Sequence, residues 1–246
     1  MRSADVVIAP DPEALAQFVA ERFVALSQGA VESRGRFSVA LSGGSTPEVL
    51  YRLLAEEPYA DQIPWPDVHV FWADERCVPP EDPGSNYRLA DETFISRVAI
   101  PTDNVHRVWG ELAPEAAARA YRRALEDFFC GPRVRFDLVL LGLGRDGHTA
   151  SLFPGSAALE ERDRLAVAVQ ATYEDRPAER VTLTLSAINS ARAVWFLVTG
   201  GAKAGIVREV LEKPGGDWPA HLVQPVAGEV TWLLDAAAAA QLEERT

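Results

Sequence analysis

Apolar residues along this chain follow two rhythms that alternate from one end to the other. Short β-branched runs recur as VVIA (residues 6–9), FSVALS (37–42), VHVFWAD (68–74) and DLVLLGLG (137–144). LAVAVQA (165–171), RVTLTLS (180–186), AVWFLVTG (193–200) and EVTWLLD (229–235) continue the series. Each has the length and composition of a strand. Between them, apolar residues three and four apart predict helices over 12–31, 47–55, 86–98, 114–129 and 202–211, and the alanine run 236–240 reads as a terminal helix. LVLLGL and VWFLV are apolar on both faces, as strands are when helices cover them from both sides. The predicted fold is therefore α/β: a three-layer, mostly parallel, Rossmann-like sheet with helices on both faces. No internal repeat is visible, and the proline-containing stretches at 79–83 and 214–219 are shorter than linkers, so one domain over residues 1–246 is expected.

Composition narrows the function classes. With 48% hydrophobic and 24% charged residues, the 246-residue chain can bury a substantial core, which excludes disorder as its main state. A net charge of −12 opposes attraction to nucleic acid or anionic membrane, so neither is an expected partner. The same field repels an anionic metabolite, and a site for one needs locally gathered cations and backbone N–H groups. Cys77 and Cys130 are too few for a disulfide framework and read as reduced thiols, although spacing leaves one bridge conceivable. Two Asp and two Pro interrupt the first fifteen residues, and no 18-residue apolar run occurs anywhere. A cytoplasmic protein is expected.

Four stretches carry candidate chemistry. In ALSGGSTPEVLYRLL (40–54), a buried strand runs into Gly43, Gly44, Ser45 and Thr46 before a helix with Pro47 in its first turn. Ser45 with Glu48 fits a capping box, and Thr46 as the cap would shift the boundary by one residue. Either reading leaves N–H groups near Gly44–Thr46 facing outward beside a helix dipole, a setting suited to phosphate, or else simply a capped turn. In VFWADERCVPPEDPGSNYRLADETF (70–94), Asp74, Glu75 and Arg76 end a strand, where ligands of open α/β sheets gather. Arg76 offers a planar fork to a phosphate and Asp74 an acceptor to sugar hydroxyls; a solvated charge cluster is the alternative.

DLVLLGLGRDGHTASLFPG (137–155) contains a G-x-G-x-x-G at Gly142, Gly144 and Gly147. A dinucleotide site would need a helix directly after it, but Pro154 and Gly155 break any helix within two turns. The glycines better explain a turn that presents Asp146 and His148, and His148 is a candidate base with an ordinary pKa of about 6.5. In RVTLTLSAIN (180–189) and VTGGAKAGIVREVL (198–211), Arg180 stands at a strand edge and Lys203 near a helix start. A cation there works against the helix dipole, so a local anion accounts for Lys203 better than helix stability does. No G-x-S-x-G elbow, HExxH or cysteine zinc signature occurs, and no metal is expected.

SGGSTP, ADER, GLGRDGHTASLFPG, RVTLT and VTGGAK, in this order and spanning nearly the whole chain, resemble the 6-phosphogluconolactonase family. The phosphate turn is shared with related glucosamine-6-phosphate isomerases and deaminases. Those enzymes carry an acidic catalytic partner a few residues after the histidine, where this chain has Ser151, Leu152, Phe153 and Pro154, and an aromatic residue where Arg76 stands. The resemblance implies cofactor-free hydrolysis of 6-phospho-D-glucono-1,5-lactone to 6-phosphogluconate in the pentose phosphate pathway, the sugar-phosphate lactone being the partner. It further implies His148 as the base that activates water, Asp146 as its support, and Asp74 on ring hydroxyls. Gly43, Gly44, Ser45, Thr46, Arg76, Arg180 and Lys203 would then hold the phosphate.

Overall fold

The apolar runs become strands, and six of them share one sheet. The computed structural model describes residues 5–131, 133–173, 176–213 and 215–243. Its larger sheet contains β1 (Asp5–Ala9), β2 (Phe37–Leu41), β3 (Val68–Trp72), β5 (Leu138–Leu141), β8 (Ala193–Val198) and β9 (Glu229–Asp235). Their order is β1-β9-β8-β5-β2-β3, every neighbouring pair is parallel, and helices flank the sheet. β2, β5 and β8 are buried along their full lengths, which is why their sequences show no polar alternation.

The other strands form a separate antiparallel sheet ordered β4-β7-β6, with β4 (Asp74–Arg76), β6 (Ala166–Gln170) and β7 (Glu179–Leu183). The run 68–74 therefore does not make one strand. It changes sheets at Ala73, whose N–H donates to Leu41 O of the parallel sheet (2.7 Å) while its carbonyl accepts the Leu183 N–H beside the antiparallel one (2.8 Å). Local pattern could not show this, because both halves of the run are equally buried.

The helices are α1 (Pro12–Arg34), α2 (Ser45–Leu54), α3 (Tyr59–Gln62), α4 (Asn86–Thr93), α5 (Pro114–Phe129), α6 (Leu185–Ile188) and α7 (Ala204–Glu212). α1 shows the local logic clearly. Asp11 caps it by accepting the Ala14 N–H (2.8 Å), Pro12 occupies the first turn, and Gly35 ends it at φ +72°, where a side chain would be strained. The segment expected to be helical over 86–98 stops at Thr93 and continues as a 3₁₀ turn, and 236–240 forms hydrogen-bonded turns instead of a helix.

β2 continues through α2 to β3 on one side of the sheet, whereas β5 leads to β8 on the other. Their outgoing loops diverge, opening a crevice at the carboxyl ends of β2 and β5. The Ser42 hydroxyl donates across its base to Leu140 O (2.9 Å).

Candidate active site

The loop after β2 forms one wall of this crevice. Tyr51 on α2 grips Ser42, donating to its carbonyl (2.7 Å) and accepting its N–H (3.2 Å). α2 begins at Ser45 with Gly44 as its cap at φ +111°, and no side chain caps it. This corrects both capping readings of Ser45 and Thr46. Glu48 instead pairs with Arg52 one turn on (2.6 Å), and the Thr46 hydroxyl shares a 2.7 Å hydrogen bond with that of Thr199. The first intrahelical bond runs from the Glu48 N–H to Gly44 O (3.2 Å), and Pro47 has no N–H. The N–H groups of Ser45 and Thr46, in the first turn of α2, consequently have no intrahelical acceptor and lie at the positive end of its dipole.

Opposite this cradle, β4 and β7 present cations. Arg76 and Arg180 are register partners in the antiparallel pair, so their side chains leave the same face side by side. Arg76 Nη1 donates to Gly84 O (2.6 Å) and Arg180 Nε to Pro177 O (3.0 Å). Among the described residues, Arg76 Nε and Arg180 Nη2 are buried with no hydrogen-bond partner. Burial lowers the Arg180 pKa, with neighbouring Asp74 raising it and Arg76 lowering it further. Two desolvated guanidiniums with spare donors form an environment completed by an oxyanion.

Asp74 is buried between them and the histidine loop. Ser151 donates to its Oδ2 (2.6 Å), and Asn86 Nδ2 donates to its carbonyl (2.8 Å) and lies 3.5 Å from Oδ1. Glu75 points the other way and anchors the start of α4. It accepts the N–H groups of Arg76, Asn86 and Tyr87 (2.7 Å each) and the Ser85 hydroxyl (3.1 Å). Burial pushes its pKa up to about 7 against the pull of those donors.

The loop after β5 carries His148. A tight turn, closed by the Gly147 N–H on Gly144 O (3.0 Å), brings Asp146 Oδ1 to 2.5 Å from His148 Nδ1. Gly144 is obligatory here, since a Cβ on it would lie 2.0 Å from His148 Nδ1. Gly147, at φ +79°, packs beneath Trp218. The imidazole is largely buried against Phe153 and Tyr173, and that burial lowers its pKa despite the opposing effect of Asp146. It is therefore neutral near pH 7, and an Nδ1–H held by Asp146 leaves Nε2 with a free lone pair.

A single cavity is lined by Gly43, Gly44, Ser45, Thr46, Asp74, Arg76, His148, Arg180 and Lys203. All the sequence-selected residues except Asp146 thus line the same space, and Asp146 touches it through His148. Lys203 lies in a 3₁₀ turn just before α7, and its Nζ donates to Leu143 O (2.6 Å), joining the β8 and β5 loops. The sequence reading missed Asn86, Tyr173, Arg176 and Thr199, which also line the cavity, and Ser151 behind it. A Ser-Asn pair before a helix was visible for Asn86, but its place beside Asp74 depends on the change of sheet at Ala73.

Among the described residues, no three His, Cys, Asp or Glu side chains cluster as metal ligands, and no helix is long and apolar enough to cross a membrane. Both Cys77 and Cys130 are free thiols.

The model of the family described as glucosamine-6-phosphate isomerases/6-phosphogluconolactonase matches residues 10–232. The chain belongs to that family. A 6-phosphogluconolactonase of Nostoc sp. is 40% identical over 243 residues, covering 96% of this chain and 98% of the relative. One from Haemophilus influenzae is 36% identical over 222 residues, covering 89% and 92%. The family likeness extends to the fold: the solved 6-phosphogluconolactonase of Trypanosoma brucei, 31% identical, superposes with a TM-score of 0.87 over 98% of this chain and 99% of its own. A monomeric glucosamine-6-phosphate deaminase, 23% identical, shares the fold with a TM-score of 0.82 over 96% and 99%.

Proposed function

We propose that the protein is a single-domain, cofactor-free cytoplasmic enzyme that hydrolyses 6-phospho-D-glucono-1,5-lactone to 6-phosphogluconate in the pentose phosphate pathway. One observation carries this reading. A neutral, carboxylate-held imidazole shares a cavity with two opposed, under-coordinated guanidiniums and an open helix N-terminus. The cations and the Gly43–Thr46 turn hold the phosphate, which anchors the lactone while Asp74 accepts its ring hydroxyls.

His148 Nε2 takes a proton from water as the water oxygen attacks the lactone carbonyl. Asp146 keeps the Nδ1–H tautomer in place and stabilises the imidazolium that forms. The tetrahedral intermediate collapses with cleavage of the bond to the ring oxygen, which receives the proton from His148. The new acid ionises, releasing one proton per turnover. A δ-lactone is an activated ester, so a positioned base with phosphate anchoring suffices without a covalent nucleophile.

The segment after His148 supports hydrolysis over isomerisation or deamination. Residues 151–154 bring no carboxylate to the imidazole: Ser151 is bonded to Asp74, Leu152 is fully buried, and Phe153 stacks on His148. A pH-stat assay of acid release tests the reading, using fresh 6-phosphogluconolactone, with unphosphorylated gluconolactone in parallel and both corrected for spontaneous opening. Rapid, phosphate-dependent release is expected. Release no faster than the blank, from folded protein, refutes it.

A further inference from the structure

Phe153 stands five residues after His148, yet its ring lies against the imidazole, with centroids 4.3 Å apart and planes at 25°. The guanidinium of Arg180 stands over the same ring, with Cζ 5.6 Å from its centroid. The backbone explains this placement. Thr149 and Leu152 form an isolated bridge closed by the Leu152 N–H on Thr149 O (2.9 Å). Ala150 between them sits at φ +48°, a left-handed conformation that a non-glycine residue adopts only under strain. Ser151 pins this reversal to both strands beneath it, through its hydroxyl on Asp74 Oδ2 (2.6 Å) and its N–H on Thr182 Oγ1 (3.2 Å). The chain is thereby turned back so that Phe153 covers His148.

We propose that Phe153 is a positioning residue, whose ring sets the His148 imidazole and the Arg180 guanidinium at a defined separation and keeps water off one face of the imidazole. Stacking fixes the imidazole plane, and attraction between the guanidinium and the ring face holds the cation on the substrate side. Among the described residues, the groups facing His148 are Asp146 from its own loop, Asp74 from β4, Arg180 from β7 and the Tyr173 ring, edge-on at 4.5 Å. The two carboxylates favour the charged imidazole and Arg180 opposes it, but burial is the largest influence, and Phe153 contributes to that burial. Only the identity of the reaction rests on the hydrolytic reading above.

The test compares Phe153→Leu, Phe153→Ala and Phe153→Tyr with the wild type in two measurements. One is the pH profile of kcat and KM on the phosphorylated lactone. The other is a proton NMR titration of the His148 ring, assigned by the resonance lost in His148→Gln, with spectral dispersion reporting the fold. Phe153→Ala is expected to move the His148 titration upward toward the ordinary imidazole value. Phe153→Leu, which keeps apolar bulk without a ring, is expected to lower kcat about tenfold or more and raise KM. Phe153→Tyr is expected to restore both. Unchanged His148 titration in the Ala and Leu variants, with kcat within about twofold of wild type, overturns the proposal. A wild type that does not hydrolyse the lactone overturns the hydrolytic reading instead, and the titration alone then decides the role of Phe153.

Discussion

Arg76 and Arg180 oppose one another across the β4–β7 ladder, each with a buried donor left unpaired among the described residues. Like charges so placed destabilise a strand pair unless an anion joins them. Inorganic phosphate is therefore expected to stabilise the wild type by about 2.7 kcal/mol at roughly a hundredfold excess over its Kd, and so to raise its thermal midpoint. Arg76→Ala and Arg180→Ala are expected to lose most of that response. Each also raises KM for the phosphorylated lactone about tenfold or more, the worth of one charged hydrogen bond. A phosphate-dependent midpoint rise undiminished in both variants would contradict the assignment.

Buried against Phe153 and Tyr173, the His148 imidazole titrates below its ordinary value, and only its neutral form can take a proton from water. Activity is thus expected to rise with pH through an apparent pKa below about 6.5 and then level off across neutrality. Asp146 is an upward influence on that pKa, so Asp146→Asn is expected to move the acid limb to still lower pH. The same change lowers kcat, because the imidazolium formed in the reaction loses its partner. A pH–rate series on both proteins checks both effects, and an acid limb that moves upward in Asp146→Asn would be the wrong sign.

His148→Ala is expected to cost about 10² to 10⁴ in kcat, as removal of a general base does. Gly144→Ala should approach that loss without touching any reacting group, because the added methyl occupies the space of His148 Nδ1 and Asp146 Oδ1. Both variants are expected to retain phosphate binding, since the cradle follows β2 and the arginines lie on β4 and β7. Isothermal titration with phosphate beside kcat measurements separates the two effects. A Gly144→Ala enzyme with wild-type kcat would show that the tight turn is not needed.

Outside the lining of the cavity, His69 Nδ1 lies 3.3 Å from His106 Nε2, within a cluster of rings that includes Phe71 and Phe128. Burial, reinforced by the neighbouring His69, brings His106 down to about 4, whereas in the unfolded chain it titrates near 6.5. Between those values the unfolded chain binds the proton and the folded one does not. The stabilising contribution is complete above pH 6.5 and is lost as pH falls toward 4. Replacing the imidazole by a ring that cannot charge, His106→Phe, is expected to make urea stability fall less between pH 7.5 and 5. Equal falls in variant and wild type would remove the pair from the acid response.

How far each feature could be read in advance depended on how local its cause was. Strand and helix identity came from hydrophobic period, a signal contained within a few turns of the chain. The glycine-rich loops were legible because Gly44 and Gly147 adopt backbone conformations that side chains resist. His148 with Asp146 was legible because two residues of tight turn bring them together. The start of α2 was misplaced because Gly44 takes the cap position itself at a positive φ, so that Ser45 enters the first turn and Glu48 pairs with Arg52.

The sequence by itself thus determined the alternating α/β pattern, the glycine turns and the residue types able to hold a phosphate and move a proton. Tertiary structure decided that the run 68–74 changes sheets at Ala73, that Arg76 meets Arg180, and that Ser151 and Asn86 aim Asp74. These relationships join residues up to about a hundred positions apart, through strand register and buried hydrogen bonds. Register follows from the fit of whole faces in the core, and no window along the chain contains both sides of that fit.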